Sequence, residues 1–298
     1  MTDRDTLAER FETHRAHLRA VAYRMLGSLA EADDVVQDAW LRASRADASQ
    51  VENLGGWLTT IVARLCLDRL RTRASRREEP IDTAVPDPVV SSAEGVNPEQ
   101  EALLADSVGL AMLIVLDTLS PAERLAFVLH DTFGLPFDRI APIVQRTPIA
   151  TRQLASRARR RLRGATTSAE VPLKRQWELI DAFLSAAREG DFEALVKVLD
   201  PDIVARADAG TGISPFGRTR RVRGAEAVAS QALAFRRLAG GARRALVNGS
   251  AGLVVVADGR PYSVLAFTFG PLAITEIDIL VDPDRIARLD LSAIGSVD

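Results

Sequence analysis

The stretch PFDRIAPIVQRTPIATRQLASRARRRLR, from Pro136 to Arg163, predicts a helix, a tight turn and a second helix. Apolar side chains recur at helical spacing over residues 137–144, which indicates a short amphipathic helix. Thr147 then offers an N-cap hydroxyl, and Pro148 stands at the first helical position, where its missing N–H costs nothing. Two helices joined in this way are typical of a helix-turn-helix motif that enters a DNA major groove.

The second of these helices has one apolar stripe and one strongly polar face. The stripe is expected to contain Thr151, Leu154 or Ala155, Ala158 and Leu162. The polar face carries Arg152, Gln153, Ser156, Arg157, Arg160 and Arg161. Asp138 is the only acid in the whole stretch, so its arginines repel one another unless a polyanion neutralises them. This favours nucleic-acid binding over the alternative, a basic helix that only faces water.

Length and composition indicate a globular protein of two or three domains. The chain has 298 residues, of which 47% are hydrophobic and 26% are charged. Its net charge is −2, so the basic character is local. The single cysteine, Cys66, excludes an internal disulfide and fits a reducing compartment. No apolar run reaches about 18 residues and the first ten residues are polar, which predicts a cytoplasmic protein without a membrane partner.

Residues 1–77 are expected to form a three-helix domain. The sequence Ser28-Leu29-Ala30-Glu31 predicts a capping box at the start of the second helix. Acids in the first turn stabilise the helix dipole, which explains Glu31 but not Asp38 further along. The third helix begins near residue 53 and ends in an arginine cluster, comprising Arg64, Arg69, Arg71, Arg73, Arg76 and Arg77.

A proline-rich segment at 78–98 is interpreted as a linker without a core of its own. Residues 99–163 then predict a four-helix domain that contains the helix-turn-helix and a capping box at Ser120-Pro121-Ala122-Glu123. A second linker follows at 164–171. These boundaries divide the helical part of the chain into two domains on flexible connections.

Residues 172–298 predict an α+β domain with a curved mixed sheet, shaped as a cone around a concave pocket. Its helices are expected at 173–188, 191–199 and 225–238. Its strands are expected at 203–207, 244–247, 253–257, 262–269, 272–281 and 286–291. Asp258-Gly259 is a strong hairpin signal between two of them.

Three motifs in this order resemble the extracytoplasmic-function (ECF, group IV) RNA polymerase sigma factors. They are Ala32-Asp33-Asp34-Val35-Val36-Gln37-Asp38-Ala39-Trp40, Gly56-Trp57-Leu58 with Leu67-Asp68-Arg69-Leu70-Arg71, and Thr151 to Arg160. The segment after residue 172 resembles a SnoaL-like domain, an extension that sigma factors of the SigJ type carry. The resemblance implies a transcription initiation factor with two promoter-binding domains, regions two and four, and a regulatory domain in cis.

The resemblance also implies how the helical domains are used. The acidic helix would bind the β′ clamp helices of core RNA polymerase through Asp33, Asp34, Gln37 and Asp38. The region-four domain would face the β flap. Asn53 and Trp57 would lie at the unpaired −10 strand, and Arg64, Arg71 and Arg73 would hold its phosphates. Residues for the −35 major groove would be Thr147, Arg152, Gln153, Ser156, Arg157 and Arg160.

Two short motifs of the C-terminal part correspond to regulatory motifs of the SigJ type. One is Asp208-Ala209-Gly210-Thr211-Gly212, in which the family's lysine is absent. The other is Asp282-Pro283-Asp284-Arg285-Ile286. The family's linker motif corresponds to residues 85–89, without its tryptophan. We therefore assign Asp208, Gly210, Gly212 and 282–285 to a pocket or regulatory site, with a small molecule as a possible pocket ligand.

Two other function classes remain open at this point. A ligand-sensing DNA-binding regulator would need the helix-turn-helix and the pocket but would leave the acidic helix unexplained. A pocket isomerase or cyclase could use Asp208 as a base if burial raised its pKa. We favour the simpler interpretation, in which Asp208 caps a turn. No metal-ligand spacing or phosphate-binding loop is visible, so we predict no catalytic residue, metal or cofactor.

Overall fold

The computed structural model describes residues 3–46, 51–75, 85–93, 109–162, 171–210 and 220–294. These residues form two compact units. The helical unit holds the first three helices together with the helices between residues 121 and 162. The C-terminal unit holds the short strand at 90–92 and the chain from residue 171 onward.

The first helical group consists of α1 (Asp3–Leu26), α2 (Leu29–Ala43) and α3 (Leu54–Ser75). Gly27 adopts a φ of +71° between α1 and α2, a conformation that glycine adopts without strain. Ser28 caps α2 by accepting a hydrogen bond from the Glu31 backbone N–H at 3.4 Å. The predicted capping box is only half formed, because the Glu31 carboxylate pairs with Arg73 on α3 instead. This ion pair ties the start of α2 to the end of α3.

Helix α4 (Leu110–Asp117) precedes the second helical group, which consists of α5 (Pro121–Phe127), α6 (Phe137–Val144) and α7 (Pro148–Leu162). A π-helical turn, Val128–Thr132, continues α5. The predicted helix-turn-helix is present as α6 and α7. Gln145 turns the chain with a φ of +58°, and the Thr147 hydroxyl accepts a hydrogen bond from the Ala150 N–H at 3.2 Å. The capping box at Ser120 is complete.

The two helical groups contact each other through Arg124 of α5, whose side chain is 2% exposed. Its Nε and Nη2 atoms donate to the backbone carbonyl of Arg24 at 3.2 and 3.1 Å, and it also pairs with Asp117. Arg24 in turn lies over the Phe133 ring at 4.8 Å. Because a buried guanidinium needs all of its donors satisfied, this contact specifies how α1 meets the second group.

The C-terminal unit is a seven-stranded mixed sheet with helices packed on one face. Its strands are β1 (Val90–Ser92), β2 (Leu199–Asp208), β3 (Arg220–Arg223), β4 (Ala242–Val247), β5 (Ser250–Ala257), β6 (Arg260–Phe269) and β7 (Ile274–Leu280). Their order is β1-β4-β5-β6-β7-β2-β3, and among these described strands only β2 and β7 pair in parallel. The helical elements are α8 (Leu173–Glu189), α9 (Phe192–Val198), α10 (Ala225–Ala234), α11 (Pro283–Ile286) and two 3-10 helices, Arg236–Gly241 and Ser292–Ile294.

The hydrophobic core of this unit lies between α8, α10 and the sheet. Ile180 and Phe269 are fully buried there, and Gly190 ends α8 with a φ of +81°. The predicted fold class is confirmed, since all-α domains with a helix-turn-helix precede an α+β domain with a mixed sheet.

Three details differ from the sequence-based expectations. Residues 286–291 were expected as a strand, but Asp282 caps the short helix α11 and turns follow it. Strand β3 was not predicted, because its four residues include three arginines. Within the predicted linker 78–98, residues 90–92 form β1 and pair antiparallel with β4. That stretch is part of the C-terminal sheet and not a free connection.

Candidate nucleic-acid interface

Helix α7 presents the predicted contact residues to solvent. Arg152, Gln153, Ser156, Arg157 and Arg160 are all exposed, as is Thr147 at the N-cap. The opposite stripe is buried and contains the residues expected from the helical period, namely Thr151, Leu154, Ala155, Ala158 and Leu162. One face of α7 is thereby committed to the core, and the other carries a row of donors.

A buried acid on α5 orients two of the arginines of α7. The Glu123 side chain is only 7% exposed and accepts hydrogen bonds from Arg157 Nε at 2.9 Å and from Arg161 Nη1 at 3.1 Å. Burial alone would raise the pKa of Glu123, but the Arg157 and Ser120 hydrogen bonds outweigh it and hold this pKa below its ordinary value of 4.5. The stabilisation is therefore fully present above pH 4.5 and is lost only as the pH falls further.

The predicted −10 residues on α3 fall into two groups. Asn53 caps α3, because its Oδ1 atom accepts the Gly56 N–H at 2.8 Å, and Trp57 is half-buried beside it. Arg64 and Arg71 are exposed along the helix. Arg73 instead binds Glu31 and lies near the Leu26 carbonyl, so it serves the packing of the three helices.

The acids of α2 are paired with arginines of the same helical group. Asp33 binds Arg19 of α1 at 2.5 Å. Arg69 of α3 lies 3.0 Å from Asp38 and 3.8 Å from Asp34. Asp34 and Arg69 also line a polar groove between α2 and α3. Gln37 is exposed on the same helix.

Cys66 lies fully buried in α3. Burial raises the pKa of its thiol to about 12, so it stays protonated at neutral pH. It is a core residue and has no nucleophilic character.

The C-terminal motifs and the linker motif meet at one site around Arg285. Its guanidinium binds Asp87 at 2.5 Å, Asp208 at 2.8 Å and the backbone carbonyl of Val85 at 2.6 Å. Asp208 also accepts the Val85 N–H at 2.9 Å. We call Val85, Asp87, Asp208 and Arg285 the linker clamp.

Local backbone geometry builds this clamp. Asp208 accepts the Gly210 N–H at 2.9 Å, which is the turn-capping role favoured from the sequence. Gly210 has a φ of +64°, and a Cβ there would lie 2.0 Å from the Asp282 carboxylate, so only glycine fits. Asp282 caps α11 by accepting hydrogen bonds from the Asp284 and Arg285 N–H groups, and Pro283 is the first residue of α11. Gly212, the other predicted residue, lies outside the described residues.

An apolar cavity of about 110 Å³ lies elsewhere in the C-terminal unit, and Asp208 does not line it. The acids Glu276 and Asp278 alternate with the cavity-lining Ile277 and Ile279, so they point to the opposite face of the sheet. There Asp278 binds Arg206 at 2.7 Å. Burial raises the pKa of Asp278 to about 6 despite this partner. Asp208 is therefore not positioned as a base for a reaction in the cavity.

Sequence reasoning missed the residues that hold these sites together. Glu123 was identified only as part of a capping box, and Arg124 and Asp87 were not singled out. The ion pair of Glu123 could have been suspected from the sequence, since an acid in the same domain as an arginine-rich helix is a candidate partner for its arginines. In the part of the chain described, there is no cluster of potential metal ligands and no helix long and apolar enough to span a membrane.

Comparison with known protein families identifies the class of protein to which the two helical groups correspond. The family descriptions "Sigma-70 region 2" and "Sigma-70, region 4" match residues 10–76 and 111–162. The matched segments contain the α2 acids and the helix-turn-helix, respectively. The fold and its surfaces define an RNA polymerase sigma factor, a transcription initiation factor that binds core polymerase and promoter DNA.

The chain belongs to the ECF RNA polymerase sigma factors. It is 38% identical over 220 residues to the probable ECF sigma factor SigI of Mycobacterium tuberculosis, covering 74% of this chain and 76% of SigI. It is 38% identical over 249 residues to SigJ of the same organism, covering 81% of this chain and 78% of SigJ. The crystal structure of SigJ superposes with a TM-score of 0.75 at 32% identity, over 95% of this chain and 99% of SigJ.

Proposed function

We propose that this sigma factor docks on the β′ clamp helices through Asp33, Asp34, Gln37 and Asp38, and that its region-four domain faces the β flap. The start of α3 captures the −10 strand, and the outward face of α7 reads the −35 element. The observation that carries the −35 assignment is the exposure of Arg152, Gln153, Ser156, Arg157 and Arg160 along one face. Each bidentate arginine–guanine contact supplies roughly 1–3 kcal/mol of discrimination.

We further propose that the C-terminal domain regulates the sigma domains in cis by holding the segment between them. The −35 and −10 elements lie about 25 base pairs apart, or roughly 85 Å at 3.4 Å per base pair. In this structure α1 touches the second helical group through Arg24 and Arg124. We infer that this contact is broken when both elements are bound, so that the two helical groups separate on the promoter.

The linker clamp limits how far they separate, because residues 85–92 are held at several points. Strand β1 pairs with β4, the Val89 N–H donates to Asn248, and Arg285 binds both Asp87 and the Val85 carbonyl. Charge-assisted hydrogen bonds to a part-buried arginine are about twice as strong as neutral ones. Holding this segment shortens the reach between the two promoter-binding domains.

Run-off transcription with purified core polymerase tests the proposal directly. We expect the full chain to bind polymerase and to initiate at its promoter, and we expect a chain ending at Gly164 to keep polymerase binding but to change promoter activity. Arg285→Ala should change activity in the same direction without removing the domain. Lys174→Ala, an exposed cation of α8, is the matched control. Identical transcription from all four proteins would remove the regulatory role, and absence of polymerase binding would remove the docking assignment.

A further inference from the structure

The cavity of the C-terminal unit lies between its helices and one face of its sheet. Its wall is formed by α8, α10, the 3-10 helix Arg236–Gly241 and strands β2, β4, β5, β6 and β7. Among the described residues of the wall, only Gln231 and Ser263 have polar side chains and none is charged. The half-buried wall residues Phe235, Leu238 and Ala239 lie at the 3-10 helix, which is where a ligand would enter.

One polar group in this wall lacks a partner among the described residues. The Oε1 atom of Gln231 is buried and accepts no hydrogen bond from any of them. Such atoms are uncommon in folded proteins, because a buried carbonyl oxygen without a donor carries a desolvation penalty. Ser263 is 3% exposed and lies in the same wall. A ligand with one donor would satisfy Gln231 while its remaining atoms contact apolar side chains.

We propose that this cavity binds a small uncharged ring compound that carries one hydrogen-bond donor, with phenol as the simplest member of the class. The volume of about 110 Å³ sets the size. A dry apolar cavity of about 150 Å³ holds a benzene molecule. This cavity is smaller, so it takes at most a single ring, part of which extends towards the half-buried side chains of Phe235, Leu238 and Ala239. The uncharged wall excludes carboxylates and amines, because it offers no counter-ion for a buried charge.

The position of the cavity connects the ligand to the linker clamp, and this step rests on the proposed regulatory function. Strand β2 contributes Ala205 and Ala207 to the cavity wall. The next residue, Asp208, accepts the Val85 N–H and binds Arg285. A ligand that displaces β2 therefore acts on the hydrogen bonds that hold the linker.

Calorimetric titration of the full chain with phenol, toluene and benzoate tests the site. Phenol should bind about tenfold tighter than its isostere toluene, the effect of one net hydrogen bond, and benzoate should not bind. Gln231→Leu should abolish the preference for phenol over toluene. Ala232→Phe, which fills the cavity from α10, should abolish binding of both. Circular dichroism shows whether each variant is folded. If Ala232→Phe does not fold, the result for Gln231→Leu alone decides whether the proposed site exists.

Equal affinities for phenol, toluene and benzoate, or no binding of phenol, would overturn the site. Hydrogen exchange of residues 85–92 with and without phenol tests the coupling to the clamp, and we expect at least a twofold change in rate. Binding of phenol without such a change would leave the site standing and refute the coupling. Because neither measurement involves polymerase, their outcome is separate from that of the transcription assay.

Discussion

Helices α2 and α7 are both densely charged, but their charges are used differently in the folded chain. The acids of α2 are each engaged by an arginine of α1 or α3. Of the six predicted −35 residues, Arg157 is the one that binds an acid within the described part of the chain, and Arg152 lies over the Phe137 ring at 5.5 Å. One surface is already paired, and the other offers its donors to solvent.

This difference separates the two kinds of binding that a sigma factor requires. Exposed ion pairs contribute only about 0.2–1 kcal/mol each, so the docking that we propose would cost the α2 acids little when they exchange their arginines for polymerase. The pairs also keep the acids in place before the partner arrives. The outward face of α7 keeps Arg152 and Arg160 exposed, and under our proposal it contacts phosphates and base edges, so its affinity for DNA should fall steeply with salt.

Charge reversal on α2 should have the largest effect. Asp34→Arg with Asp38→Arg places two cations where an opposite potential is required, and like charges across an interface cost several kcal/mol. We expect run-off transcription to fall by about 100-fold or more, while binding to a −35 duplex by the isolated chain is retained. Glu193→Arg with Glu226→Arg makes the same charge change in the C-terminal unit and should be nearly silent. Full transcription from the α2 variant would favour a regulator that never joins polymerase.

Truncation on α7 should have the next largest effect. Arg157→Ala or Arg152→Ala removes a donor from the exposed face, and we expect affinity for the −35 duplex to fall about 10- to 100-fold, with relaxed specificity at one base pair. Fluorescence anisotropy at two salt concentrations measures both quantities, with Lys174→Ala as the control. A uniform loss across sequences would show that these residues contact phosphates only.

Glu123→Gln should have a smaller effect than the substitutions on α7, and the effect should be on the specificity of DNA binding. The change removes the charge that holds Arg157 and Arg161, so Arg157 becomes less ordered while the net charge of the surface rises by one. Non-specific DNA affinity should therefore rise slightly, and the ratio of specific to non-specific binding should fall by roughly threefold to tenfold. Competition titrations against an altered −35 duplex measure this ratio. An unchanged ratio would mean that Glu123 contributes to folding alone.

The smallest effect is expected at Arg19, the partner of Asp33. Arg19→Ala removes one exposed ion pair, so the free energy of unfolding should fall by about 0.2–1 kcal/mol. Polymerase binding should be unchanged or slightly tighter, because Asp33 no longer has an internal competitor. Urea unfolding and a pull-down with core polymerase test the two halves of this prediction. A large loss of polymerase binding would show that the pair organises the docking surface.

Much of the helical architecture could be predicted because its signals are local. The stripe on α7, the cap at Thr147 and the end of α8 at Gly190 each depend on residues within a few positions of one another. The short strand β1 could not be predicted, since its partner Val247 is far away in sequence and its own neighbourhood is rich in proline. The expected strand at 286–291 failed because the Asp282-Pro283 helix start outweighed the apolar run that follows.

The candidate sites likewise include features that local sequence predicts and features that depend on contacts between distant segments. Exposure of Arg152 and Gln153 follows from the helical period alone. That Glu123 binds Arg157, or that Arg285 binds Asp87, requires two distant segments to be brought together by the core. The sequence motifs around Asp208 and Asp282 indicated a regulatory site, but their shared contact with the linker was visible only in the folded chain.

Strand β1 has a consequence for the solubility of the active form. It covers the outer edge of β4, and an uncovered strand edge presents unpaired N–H and C=O groups that recruit other chains. Any process that releases residues 90–92 for promoter binding therefore exposes the unpaired edge of β4. We expect the activated protein to self-associate unless another strand pairs with β4. Conditions that raise transcription activity should therefore lower the fraction of monomeric protein.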